Sequence, residues 1–328
     1  MFWITWEEVR PDCEQASHPA GVISPGVTRQ GTAGPASRSD CIQESGVTRA
    51  TSTVAMIATM TEAAMTGSGG AAGGAGQVVI DLNSDVGESF GAYRMGADTE
   101  LLGEVSSANV ACGFHAGDPR TMDATVALAA SLGVTVGAHV SYPDLVGFGR
   151  RQMVVSPAEL VTDVLFQIGA LEAFCRRHGT AVRYVKAHGA LYNDLAGDEA
   201  LAAALADAVL GYGGDLAVLV LAGSPAVEVI AARGITVVRE GFADRGYTAA
   251  GRLVPRSEPG AVLTDPAVVA DRGCRIAAGQ PVPASDGTPV TVAADSICLH
   301  GDTPGAVSLA RALRGTLAEH QIAVRAFA

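Results

Sequence analysis

From Gln77 onward, short apolar runs alternate with longer amphipathic stretches, a rhythm that predicts βα units around a parallel sheet. Seven runs have strand length: residues 78–82, 108–112, 134–138, 182–186, 216–222, 235–239 and 296–299. Helix starts are marked by Asp118-Pro119 and by Ser156-Pro157-Ala158-Glu159, a capping box with proline at the first helical position. Ser224, Asp265 and Thr303, each before a proline, read as further N-caps, and Gly133, Gly179 and Gly234 read as helix ends. Two insertions break the rhythm. Residues 241–263, with Arg245, Tyr247, Arg252 and Arg256, are too long for an ordinary βα loop and read as an active-site lid. Residues 280–295 place Asp286-Gly287 between Val282 and Val290, which reads as a β-hairpin. Seven strands in about 250 residues predict an α/β fold, a (β/α) barrel of about seven parallel strands of the glycoside hydrolase/deacetylase kind, with full and incomplete closure both open. A doubly wound sheet is the weaker alternative, because no G-x-G-x-x-G follows the first strand.

Residues 1–76 have no periodic apolar face and end in GSGGAAGGAG, so they are expected to be a disordered extension with a glycine-rich linker, leaving 77–328 as a single barrel domain. Met56, Met60 and Met65 all lie nearer the first strand than Met1, and the first 55–65 residues are read as an upstream extension.

Composition narrows the function classes. With 48% hydrophobic and 17% charged residues, the 328-residue chain can bury a sizeable core. No window reaches the ~18 uncharged apolar residues of a membrane span, and the acidic N-terminus does not suit a signal peptide, so a cytoplasmic protein is expected. A net charge of −12 without a basic patch argues against nucleic acid. The six cysteines lack C-x-x-C pairing and read as reduced thiols, Cys112 and Cys298 as small core hydrophobes. Of the 22 basic residues only Lys186 is a lysine. Arginine cannot easily replace a compact ammonium that must approach one atom, so Lys186 is a site candidate. Lys186→Arg is expected to abolish turnover and leave the fold stable.

In a parallel barrel, functional groups come from the carboxyl ends of the strands. Polar residues gather there: Asp81, Asn83, Asp85 and Glu88 at the first strand, His115 and Asp118 after the second, and His139 at the third. Lys186, His188, Tyr192 and Asn193 follow at the fourth, Asp244 and Arg245 after the sixth, and His300 and Asp302 after the seventh. Four histidines converging with the lysine and carboxylates suit general acid–base or metal chemistry. His178 and His320 fall at helix C-termini, where the dipole favours a cation. A zinc or manganese hydrolase or deacetylase acting on a small amide is one reading, drawing on His115, His139, His188, His300 and Asp85, with Asp85, His115 and His139 the first metal-ligand candidates. A non-catalytic substrate-binding subunit is another. Arg150-Arg151 would meet either a substrate carboxylate or solvent.

Six motifs occur in order: Asp81-Leu-Asn-Ser-Asp-Val-Gly-Glu-Ser-Phe-Gly91, Ala108-Asn-Val-Ala-Cys-Gly-Phe-His-Ala-Gly-Asp-Pro119, Val136-Gly-Ala-His139, Lys186-Ala-His-Gly-Ala-Leu-Tyr-Asn193, Phe242-Ala-Asp-Arg245 and Cys298-Leu-His-Gly-Asp302. Together they resemble the LamB/YcsF family over nearly all of residues 77–328. One departure is Ala187, where the family usually has proline, a change in backbone stiffness rather than in a reacting group.

The resemblance implies ATP-dependent hydrolysis of 5-oxo-L-proline to L-glutamate, carried out as the A component of 5-oxoprolinase with partner subunits B and C. A five-membered lactam is a poor electrophile, and phosphorylating its amide oxygen activates it. That chemistry asks for cations near phosphate and a base for water. Lys186, with His188 beside it, would neutralise phosphate charge, and Asp85 or His115 would activate water. Asn83, Glu88, His139, Arg245, His300 and Asp302 would bind substrate or phosphate, and the turn at residues 116–119 would offer N–H groups as an anion site. ATP is the expected co-substrate, with a divalent metal such as Mg. No G-x-x-x-x-G-K-[ST] is present, so ATP is held by an unfamiliar cradle or by the partners.

Overall fold

A computed structural model describes residues 77–303 and 305–328. The extension expected over residues 1–76 lies outside the described residues. The elements in chain order are β1 (Val79–Val86), α1 (Asp98–Leu102), β2 (Ser107–Ala111), α2 (Pro119–Leu132), β3 (Thr135–Val140), α3 (Pro157–Arg177), β4 (Val182–Ala187), α4 (Gly189–Leu195) and α5 (Glu199–Tyr212). They continue with β5 (Ala217–Leu221), α6 (Ala226–Ala231), β6 (Val237–Phe242), α7 (Pro266–Ala277), β7 (Val282–Pro283), β8 (Pro289–Val290), β9 (Ser296–Leu299), α8 (Ala306–Glu319) and β10 (Ala323–Val324).

Seven parallel strands, β1 to β6 and β9, form a (β/α) barrel with helices between them. The ring is closed. Ser296 of β9 lies in register with both Asp81 of β1 and Glu240 of β6, so the last strand bridges the first and the sixth. The short β10 pairs with Val79 and Ile80, the part of β1 that precedes its pairing with β9. β7 and β8 form the expected antiparallel hairpin. All seven expected strands are present, with two instructive shifts: β1 runs on to Val86, and β6 runs through Glu240 to Phe242.

Local chemistry explains the helix starts. Asp118 accepts from the backbone N–H groups of Arg120 and Thr121, Asp265 does the same for Ala267 and Val268, and Ser156 and Glu159 form the reciprocal capping box. Gly133 ends α2 in the left-handed conformation. The expected cap at Ser224 falls one residue later, at Pro225. Helix α8 is capped by Gly305 rather than Thr303, and Pro304 lies outside the described residues. Among the described residues no helix is long and apolar enough to cross a membrane.

The apolar core fills the space between barrel and helices, with Leu82, Val86, Val110, Val126, Ile168, Leu171, Leu205 and Leu313 all buried. The lower barrel interior is a second small cluster of Tyr184, Ala217, Leu219 and Val238, against which Phe327 packs. A Cβ at Gly137 of β3 would collide with the Tyr184 ring, so only glycine leaves room for that phenol. Above this plug the interior is polar, a departure from the branched apolar layers usual in such barrels.

Candidate functional site

Strand alternation sends Asp81, Asn83 and Asp85 of β1 into the barrel interior as a ladder. At its foot, Asp81 accepts from Ser106 Oγ (2.7 Å), Ser107 Oγ (2.6 Å) and Ser296 Oγ. Burial outweighs these three donors and pushes its carboxyl up to about 6. Asn83 Nδ2 donates to Ser296 Oγ at 2.7 Å. Asn109 Nδ2 donates to Asn83 Oδ1 (2.7 Å) and Asp85 Oδ1 (2.8 Å), and Tyr184 donates its hydroxyl proton to Asn109 Oδ1 at 2.7 Å.

Lys186 tops the ladder, 3% exposed. Its Nζ lies 2.9 Å from Asp85 Oδ1 and 2.8 Å from Glu240 Oε1, and donates to Asn83 Oδ1 (3.2 Å) and Cys298 Sγ (3.1 Å). Burial opposes the ammonium, yet the nearby Asp85, Cys298 and Glu240 outweigh it and hold the pKa well above the lysine range. Lys186 is therefore a fixed cation, not a base. Asp85 shows the converse: burial works against its charge, but His139 and Lys186 keep it well below the carboxylate range. Burial pushes the Cys298 thiol up.

Beside this pair stand three histidines. The rings of His115 and His188 stack with centroids 3.9 Å apart, and His139 meets both edge-on. His188 Nδ1 lies 3.0 Å from His139 Nε2, and Glu88 Oε1 lies 3.4 Å from His115 Nε2 and 3.6 Å from His188 Nδ1. Burial drives His115 and His188 well below the histidine range, and burial with the charge of Asp85 drives Glu88 well above the carboxylate range. Two groups of ligand atoms lie close enough to share a metal ion: Glu88, His115, His139 and His188, and separately Asp85, Cys298 and His300. The loop beneath is tightly built. Phe148 takes a positive φ of 54° and its carbonyl accepts from His188 Nε2 at 2.9 Å, while a Cβ at Gly189 would strike the carbonyl of Gly149.

The Lys186–Asp85 pair, His139 and His188 open onto a cavity of about 500 Å³ at the barrel mouth. Asp85, His139, Lys186, His188, Phe242 and His300 line it, and Arg150, Arg245, Arg252 and Arg256 rim it. His300 Nδ1 lies 3.0 Å from Asp244 Oδ2, and the His300 ring stacks on Phe242. Burial opposes the Asp244 charge, but His300 holds its carboxyl below the usual value. Hollows of about 570 and 800 Å³ lie elsewhere on the barrel and border none of the three clustered histidines.

Residues 80–328 match the sequence profile of the LamB/YcsF family. The chain belongs to that family. It is 56% identical over 250 residues to the 5-oxoprolinase A component of Kocuria rhizophila, covering 76% of this chain and 99% of that protein. With a 5-oxoprolinase A component of Pseudomonas syringae pv. tomato it shares 52% over 249 residues, 76% of this chain and 97% of the relative. The crystal structure of a lactam utilization protein from Thermus thermophilus superposes with a TM-score of 0.72 at 46% identity, covering 76% of this chain and all of that one.

Within this LamB/YcsF barrel, Asp85, His139, Lys186, His188 and His300 share one cavity, as strand-end positions should. Other expected site residues stand elsewhere. His115 and Glu88 are buried against His188 and do not line the cavity. Asn83 lies one step down the ladder, beneath the floor. Asp302 pairs with Arg150 (2.6 Å) and Arg256 (4.0 Å), so its carboxylate ties rim loops together and does not suit an anion. Arg245 donates to the carbonyls of Ala261 (2.9 Å) and Val254 (2.7 Å) and braces its own loop, with burial lowering its pKa to about 10.

The anion site expected at residues 116–119 is filled by the chain's own Asp118, which takes the N–H groups of Arg120, Thr121 and Gly91. The expected lid is a built wall: Tyr247 accepts from the Phe242 N–H at 2.7 Å, and Arg245 and Tyr247 bridge to Val262 and Leu253. Arg150 reaches the cavity, and Arg151 turns to Asp144. Sequence reasoning missed Glu240 and Asn109. A charged residue two positions from buried Val238 and Phe242 in an apolar strand was the available signal for Glu240.

Proposed function

We propose that this chain opens the lactam of 5-oxo-L-proline to L-glutamate in an ATP-coupled hydrolysis, as the A component of an assembly with partner subunits B and C. The observation that carries the reading is the cavity itself. An arginine rim suits a small carboxylate, and the floor offers a buried ammonium–carboxylate pair to an amide. The relatives named as 5-oxoprolinase components and the neighbour named a lactam utilization protein support the same substrate class. Among the described residues the Arg252 guanidinium makes no ion pair, which leaves it free for the substrate carboxylate.

In this reading the partners hold ATP, as its magnesium complex, and bring its terminal phosphoryl group to the mouth. Transfer to the amide oxygen raises the electrophilicity of the ring carbon. Water, aligned on the Asp85 carboxylate, adds to that carbon, the ring C–N bond breaks as the nitrogen takes a proton, and the resulting acyl phosphate is hydrolysed to glutamate and phosphate. Lys186 stays charged throughout and stabilises negative charge growing on the oxygen, the kind of contact worth ~10²–10³ in rate.

The test is glutamate release from 5-oxoproline by the full assembly, with and without ATP, compared with the chain alone. Glutamate is expected only from the assembly with ATP. Arg252→Ala is expected to raise KM for 5-oxoproline about 10- to 100-fold, the worth of a charged hydrogen bond, and to leave 2-pyrrolidinone, which lacks the carboxylate, unchanged. No glutamate from the assembly, or equal effects on both lactams, overturns the reading.

A further inference from the structure

Glu88, His115, His139 and His188 bring four buried ligand atoms within 4.8 Å of one another. His188 Nε2 lies 2.9 Å from the Phe148 carbonyl, and His139 Nδ1 lies 3.3 Å from the Lys186 carbonyl. A carbonyl only accepts, so both of these nitrogens carry the proton. In the neutral rings, the form that binds a metal ion, the inward nitrogens, His188 Nδ1 and His139 Nε2, face each other as lone pairs at 3.0 Å. His139 Nε2 also faces Asp85 Oδ1 at 3.3 Å, another acceptor. His115 has no hydrogen-bond partner on either nitrogen, and Glu88 Oε1 has none, although all are buried. Buried polar atoms without partners are rare in folded proteins, and those of His115 and Glu88, gathered with His139 and His188, call for a cation.

The spacing fits one. Ligand atoms about 2.0–2.2 Å from an ion stand roughly 2.8–3.6 Å from one another at octahedral to tetrahedral angles. The separations here are 3.0 Å between the His139 and His188 nitrogens, 3.4 Å from His115 to Glu88 and 3.6 Å from His188 to Glu88. The outward N–H groups held by backbone carbonyls are the support that metal-bound histidines use to fix their tautomers.

We propose that Glu88, His115, His139 and His188 bind one divalent transition-metal ion, zinc foremost, at the wall of the mouth cavity. Three imidazoles and one carboxylate suit zinc, whereas magnesium prefers oxygen ligands and retains its water. The second cluster, Asp85, Cys298 and His300, is the poorer host, because the Lys186 ammonium already sits 2.9 Å from Asp85 and 3.1 Å from Cys298 and repels a second cation. The site does not depend on the oxoprolinase reading, since an ion bound here is detected whether or not the chain opens lactams.

The full-length chain is stripped with chelator, dialysed and titrated with Zn²⁺ and, separately, Co²⁺. One ion per chain, a rise in melting temperature on adding Zn²⁺, and cobalt d–d bands without a thiolate-to-cobalt charge-transfer band are expected. His115→Gln, which leaves the cavity lining untouched, is expected to abolish stoichiometric binding, while His178→Gln is expected to bind like the parent. If His115→Gln does not fold, the stoichiometry, melting shift and cobalt spectrum of the parent chain decide. Absence of stoichiometric binding, a thiolate band, or binding unchanged in His115→Gln overturns the proposal.

Discussion

Lys186→Met removes the cation at the top of the barrel interior while keeping the length and approximate volume of the side chain. Two carboxylates, Asp85 at 2.9 Å and Glu240 at 2.8 Å from Nζ, are left buried without their counter-charge. Breaking a buried pair by removing one partner costs ~3–5 kcal/mol. Methionine fills most of the space, so the cavity contribution is small. Against a total of ~5–15 kcal/mol for a typical domain, the variant is expected to lose a large part of its stability.

The same geometry revises the expectation for Lys186→Arg. Four partners surround one point, and a planar guanidinium cannot occupy it. Arginine is therefore expected to cost stability as well as turnover. Urea unfolding followed by circular dichroism at neutral pH gives the value directly, provided the denaturant slope is unchanged. A cycle with Glu240→Gln isolates the pair. If Lys186 compensates Glu240, the double variant is expected to lose less than the sum of the singles, by up to ~3 kcal/mol. A Lys186→Met loss under about 1 kcal/mol, or additivity within ~0.5 kcal/mol, would refute the charge-compensation account.

Asp81→Asn addresses the foot of the ladder. Its carboxyl is raised from 3.8 to about 6 in the folded chain, so the fold favours the protonated form. That stabilisation is complete below pH 3.8 and is lost as pH rises through about 6. A shift of this size corresponds to about 3 kcal/mol, so the variant is expected to gain on the parent by that order between pH 4 and pH 7. Urea midpoints at the two pH values measure it, and a pH-independent difference counts against a perturbed Asp81. Gly137→Ala drives a methyl group into the Tyr184 ring and is expected to cost ~1–3 kcal/mol. Adding Tyr184→Leu is expected to recover part of that in thermal unfolding, and an alanine variant as stable as the parent contradicts the packing.

The apolar runs located every barrel strand because strands buried on both faces read as hydrophobic blocks. The same property hid what those strands carry inward. Glu240 looked like the residue after a strand, because the exposed Arg239 and the charged Glu240 beside it read together as the polar end of the apolar run. Asp81, Asn83 and Asp85 were visible as one polar run, but only closure of the ring stacks them at three depths, so that Asp85 reaches the cavity and Asn83 does not. The Asp118 motif carried two competing meanings, an anion site and an N-cap. The cap wins because a carboxylate already attached to the chain reaches those N–H groups without losing translational freedom. Convergence of Glu88 and His115 on His188 depends on long-range strand neighbourhood, which no local pattern encodes.

Tyr184, Leu219 and Val238, backed by Phe327, pack the lower barrel interior, so a ligand in the mouth cavity meets filled space beneath it. In the proposed reaction, a partner that delivered a phosphoryl group over the arginine rim would also stand in the exit path of glutamate, so delivery and release would not overlap in time. The proposed assembly would then work in strokes: docking would commit the substrate, and undocking or opening of the partner would free the product. Under such gating, tightening the contact between subunits speeds delivery only until release becomes the slow step, and beyond that point a stickier partner makes a slower enzyme.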